Sequence, residues 1–132
     1  MPSADIGRCM NWITDGESSL GFLEERLFHG DLDGAADLLR SAWRDLLRPL
    51  AVLSKCWSGS FWRDWSHKDL LEGNITRAQD LLLRATPSDL EDVLVQLRDL
   101  MLTNFYLLRE AMALVCADVG SATVAKSHQT VH

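Results

Sequence analysis

The stretch Thr86-Pro87-Ser88-Asp89-Leu90-Glu91 opens the segment that decides the fold. It offers a capping side chain, a proline for the first turn and acids beside the positive end of a helix. From there Leu90, Leu94, Leu97, Met101, Phe105, Leu108, Met112 and Val115 recur at steps of three or four. Such a stripe predicts one long amphipathic helix ending at Gly120, roughly 45 Å at 1.5 Å per residue. Everything upstream is shorter and has to pack on it.

The nearest comparable pattern is Leu32, Ala36, Leu39, Trp43, Leu46 and Leu50, with Asp31 as its cap and Gly30 closing the helix before it. Pro49 falls inside this pattern and either kinks the helix or starts a new turn running to about Trp57. Before Gly30, two short helices are expected. One spans Ser3–Thr14 with Ile6, Cys9, Met10 and Ile13 on a face, and Asp15-Gly16 stops it. The other spans Ser18–His29 with Leu20, Leu23, Leu27 and Phe28. After the Ser58-Gly59-Ser60 break a helix begins at Ser60 or at Ser66, stops at Gly73, and a further one starts at Asn74 with Ile75, Ala78, Leu82 and Ala85. The expected fold is all-α: an antiparallel bundle of five or six helices, two short hairpins packed on a long C-terminal helix. Residues 1–120 form a single domain, and 121–132, polar and without a pattern, form a flexible tail.

The segment His29–Ala42 aligns without gaps on Glu72–Ala85. Gly30 pairs with Gly73, Ala35 with Ala78, Asp37 with Asp80, Leu38 and Leu39 with Leu81 and Leu82, and Ala42 with Ala85. A glycine ends one helix, an Asp or Asn begins the next, and alanines let two arms approach closely. This resembles the turn between the paired helices of tetratricopeptide-type repeats, and Trp62 falls near the aromatic of that family's first helix. The resemblance implies paired helical hairpins, and the same turn also suits generic antiparallel hairpins in a bundle.

Composition narrows the function. The chain carries 13 basic against 19 acidic residues, a net charge of −6, which opposes binding to nucleic acid. Cys9, Cys56 and Cys116 are odd in number and far apart, so buried reduced thiols in a cytoplasmic protein are expected. No signal peptide is expected at the N-terminus, and no window reaches the length of a membrane span without charges. Of the histidines, His29 and His67 stand apart, and His128 and His132, four residues apart, sit in the expected tail with no acid or thiol beside them. Neither a metal nor another cofactor is expected. Cys56 with His67 as base is the one nucleophile pair, set against a small buried hydrophobe at Cys56.

Two features point toward a partner. Arg40, Arg44 and Arg48 recur every four residues along one edge of a helix, with Arg77 and Arg84 as possible extensions. They form either an edge for an acidic partner or intramolecular pairs with Asp33 and Asp37. The stretch from Cys56 to Trp65 holds three of the five tryptophans. Helical phase places Phe61 and Trp65 inward and Trp62 outward, so Trp57 and Trp62 are the candidate aromatic rim. The expected function is a non-enzymatic protein–protein interaction module: an adaptor, chaperone or inhibitor. The alternatives are a small viral or phage-type regulator capturing a host helix in a groove and, with less in its favour, a small helical enzyme or ligand carrier. A homodimer through the long C-terminal helix is a further expectation, with Asn104 either setting its register or hydrogen-bonded inside the monomer.

Overall fold

The computed structural model describes residues 3–56 and 59–131, the side chains of 3, 56, 59–61 and 118–131 excepted. Five helices account for nearly all of it: α1 (Ser3–Phe28), α2 (Leu32–Cys56), α3 (Gly59–Asp64), α4 (Lys68–Arg84) and α5 (Leu90–Val131). No strand occurs among the described residues. The all-α bundle with a long C-terminal helix is thus the observed architecture.

α5 is its spine, packing against α1, α2 and α4. The stripe expected from its sequence is the core. Leu94, Leu97, Met101, Phe105, Leu108, Met112 and Val115 are all buried, while Leu90 at the first turn is only partly so. Leu90–Ala117 is also long and apolar enough, by length and composition alone, to cross a membrane, contrary to the sequence-based expectation. Its charges bunch at the start, in Glu91, Asp92, Arg98 and Asp99, and leave only Arg109 and Glu110 in the remainder. Its buried side chains are those that fill the bundle.

α1 is one helix where two were expected, and the glycine taken for a stop explains why. A Cβ at Gly16 would stand 2.2 Å from Cζ of Phe105. Gly16 therefore serves the close approach of α1 to α5. The cost of about 1 kcal/mol for a glycine inside a helix is set against burial of a phenylalanine ring. Polar contacts fix the relative direction. Arg109 donates through Nε to Glu17 at 2.5 Å, and Arg98 lies 3.5 Å from Glu24. Rising numbers on α1 meet falling numbers on α5, so the two run antiparallel.

The turn from α1 to α2 is built as its sequence implies. Gly30 adopts φ 71°, the left-handed conformation. Asp31 N–H donates to the Arg26 carbonyl and Gly30 N–H to that of Leu27, the two bonds of a Schellman close. Asp31 then accepts from Gly34 N–H at 2.9 Å and caps α2. α2 runs unbroken through Pro49, which is buried.

Gly73 behaves differently from its counterpart in the internal alignment. It lies within α4, which continues through it from Lys68 to Arg84. Asn74 caps nothing. Its amide donates to the Asn104 carbonyl oxygen at 3.0 Å, meeting the need of a side chain only 1% exposed. The two aligned segments are therefore a turn in one case and mid-helix in the other, and the tetratricopeptide-like pairing of hairpins does not form. α5 likewise passes through Gly120, where its end was expected, to Val131. The backbone of 121–131 continues α5, and the side chains on which a loose tail was argued lie outside those described.

α4 and α5 also run antiparallel, since His67 meets Glu110 and Asn74 meets Asn104. Just before α5 the Asp89 carboxylate accepts from Thr86 at both the backbone N–H (2.6 Å) and the hydroxyl (2.9 Å). The backbone bond first, and then the hydroxyl bond, hold its carboxyl below the ordinary aspartate value. A depressed carboxylate contributes stability above its unfolded pKa, and that contribution is lost as pH falls through the folded one. An Asp89→Ala variant should be less stable than wild type at pH 7 by urea denaturation, with the difference shrinking below about pH 4. A gap unchanged down to pH 2.5 would count against a charge-dependent bond between Asp89 and Thr86. In the core, Gly16→Ala should cost about 1–3 kcal/mol by overpacking. Gly21→Ala, in the same helix with nothing within 4 Å of the added Cβ, should gain about 0.5–1 kcal/mol. Equal effects from the two would refute the close-approach role.

Candidate functional site

α2 and α4 both rest on α5 but do not pack on each other. They are joined through α3 at the end where His67 meets Glu110. Toward the other end nothing ties them, and burial along α4 falls accordingly. Leu71 and Ala78 are 0% and 1% exposed, but Leu82, one turn further on, is 49% exposed. A groove of about 370 Å³ opens there. Leu39 and Trp43 of α2 form one wall and Leu82 of α4 the other, with Leu97 and Met101 of α5 as floor.

Among the described residues its charged lining is Arg40 and Arg44. Their row on α2 runs beside the Leu39–Trp43 row, one residue round the helix. The structure thus brings two of the three expected arginines to an apolar groove and sends the third elsewhere. Arg48 lies over the Trp12 ring, 5.9 Å from its centroid, and 4.0 Å from Asp45. Burial, reinforced by Asp15 and opposed by Arg48 and then Arg44, pushes the Asp45 carboxyl up from its ordinary value. Arg40 pairs with Asp37 at 2.9 Å, both exposed, and Arg84 with Asp80 at 3.1 Å.

The aromatic rim is arranged otherwise than expected. Trp57 lies outside the described residues, as does the side chain of Phe61. Trp65 is buried, in line with expectation. Trp62 is only half-buried, but its ring stacks on that of Trp65 at 5.9 Å and 29° instead of pointing away. The helical phase that was to separate them does not apply, because α3 ends at Asp64 and Trp65 leaves the helix. His67 stands edge-on to Trp65, with Nε2 3.5 Å from Glu110. This cluster ties the start of α4 to α5 through His67 and Glu110.

Two other depressions are more polar. One, between α4 and α5, involves Asn74, Arg77, Gln96 and Asp99; the other is bounded by Trp65, His67 and Glu110. Among the described residues no three His, Cys, Asp or Glu side chains are grouped to hold a metal. The side chain of Cys56 is outside those described, so its pairing with His67 is too. Cys116 is exposed rather than buried, since it falls on the outer side of α5 beside buried Val115; Cys9 is in the core. The chain matches no protein-family model, no curated protein and no solved structure.

Trp43 and Leu82 were legible only as members of core stripes. The available signal was the run Leu81-Leu82-Leu83. Three consecutive leucines span about 200° of a helix, more than the single face that α5 covers.

The separation of α2 from α4 makes a specific demand on packing. Leu82→Ala should cost little, under about 1 kcal/mol, because its side chain is half-exposed. Leu71→Ala should cost about 2–5 kcal/mol. Equal losses in chemical denaturation would mean that the Leu82 end of α4 is closed onto the bundle in solution.

Proposed function

We propose that this chain is a non-enzymatic protein-interaction module that seats a partner helix in the groove between α2 and α4. The observation that carries this is the groove itself: an apolar floor and walls, open to solvent, with a tryptophan on one wall and arginines at its margin. Tryptophan and arginine are the residues most enriched where binding energy concentrates. An amphipathic helix laid on an apolar groove is a recurring mode of recognition, read through anchors at i, i+3 or i+4, and i+7. Adaptor, chaperone or inhibitor roles all use such a surface. Trp62, stacked on Trp65, serves the bundle, and Trp43 takes the anchoring role first sought in the rim.

A second surface supports self-association through α5. Leu102 and Tyr106 lie one turn apart and are exposed, and Tyr106 is 63% accessible. An apolar pair on a long helix is the kind of feature a dimer seam would cover.

The groove is tested with a displayed library of helical peptides. Leu, Ile or Phe occupy i, i+3 and i+7, and other positions are random. Selection on the immobilised full chain should give binders whose affinity falls at least about tenfold, or 1.4 kcal/mol, on Leu82→Glu. The thermal midpoint should change little, since Leu82 is half-exposed. Binders indifferent to Leu82→Glu would place recognition elsewhere. The seam is tested by light scattering: a mass rising toward the dimer with concentration, reduced by Tyr106→Glu, supports it, and a monomeric mass throughout overturns it.

A further inference from the structure

Resting on that interaction-module reading, we infer that the groove's occupant is an acidic amphipathic helix. It bears two carboxylates one turn apart along the edge of its apolar stripe, and these seat on Arg40 and Arg44. The chain as a whole is acidic, at −6. Against that background the described lining of this apolar groove carries two arginines and no carboxylate.

The two arginines are also available. Among the described residues no carboxylate lies within 4 Å of the Arg44 guanidinium; its attraction to Asp45 acts at longer range. Arg40 does pair with Asp37, but the side chains are 73% and 71% exposed. A pair so wet contributes little and exchanges readily for a better-placed carboxylate. Arg48, by contrast, is engaged by Trp12 and Asp45 and does not line the groove.

Spacing sets the shape of the partner. Arg40 and Arg44 stand four residues apart on α2, a rise of about 6 Å. Carboxylates at i and i+4, or i and i+3, of a helix lying along α2 match that rise. The floor residues Leu97 and Met101 are likewise one turn apart on α5. Because Leu97 and Met101 are each only 1% exposed, a helix laid along the groove meets chiefly Trp43 and Leu82. The arginine fork favours carboxylate over other acceptors because it can donate two parallel bonds to it. Polyanions such as nucleic acid fit poorly, since two arginines on a chain of net negative charge give them little attraction. An apolar anion such as a fatty acid would be held mainly by enclosure, and this groove is open along one side.

The test reads the sequences of the Leu82-dependent peptides from the same library. Expected is enrichment of Asp and Glu at two positions one turn apart beside the anchors. Remaking the selection on Arg44→Glu should lose that preference and favour Lys or Arg there, while Arg48→Glu should leave it unchanged. Binding of a selected acidic peptide should weaken several-fold between 50 mM and 500 mM NaCl. Leu82-dependent binders with neutral or basic flanks would overturn the acidic partner and leave the groove standing. No Leu82-dependent binder at all would overturn both. Self-association of the wild-type chain that Leu82→Glu abolishes would assign the groove to a second copy, and Leu82-dependent binding of decanoate without any peptide binder would assign it to an apolar anion; either overturns the proposal.

Discussion

The ring of Phe105 occupies the space that any side chain at position 16 would need. That single contact sets how closely α1 approaches α5, and the rest of the bundle follows from the closeness. With α1 drawn in, Ile13, Leu20 and Leu23 are buried alongside Leu97, Met101 and Leu108. Arg109 is brought within reach of Glu17, and Arg98 of Glu24. These ion pairs are partly exposed and supply direction more than stability. The stability comes from dry packing, which is why a missing methyl group on one helix decides the position of another.

The central helix was legible because its pattern is long, continuous and backed by a start signal. The same holds for the turn at Gly30 and Asp31, where backbone geometry and side-chain chemistry agree. What misled was glycine. Gly16, Gly30, Gly73 and Gly120 all look like stops in one dimension, and only Gly30 is a turn with positive φ. A glycine inside a helix costs about 1 kcal/mol, which tertiary packing readily offsets. Gly16 earns its place through a contact with a residue 89 positions away, a fact no local window contains. Asn74 misled similarly: its partner Asn104 is 30 residues on, so a residue suited to capping was placed for burial.

The candidate site was half legible. The Arg40–Arg44 row follows from spacing alone, but which arginines remain available depends on Trp12 and Asp45, brought near Arg48 only by folding. Trp62 is placed differently from its expected position for a related reason. Phase arguments hold within one helix, and Trp65 lies just beyond the end of α3. Trp62 then stacks where it was expected to project. Trp43, hidden in a regular core stripe, became a groove wall because α4 does not reach across to cover it.

That last feature has an energetic side. α1, α2 and α5 each pack against two others of the three, whereas α4 packs only on α5 and the short α3. Only Leu71 and Ala78 of its seventeen residues are fully buried. Free energy of local opening tracks buried apolar contact, so it is lower for a helix resting mainly on one long neighbour than for three that pack mutually. The groove is therefore framed asymmetrically: one wall belongs to the three mutually packed helices and the other to a helix held mainly by α5. A cleft with one compliant side accepts occupants of differing girth by small displacements of that side, while the fixed side, bearing Trp43, Arg40 and Arg44, keeps the register in which they are held.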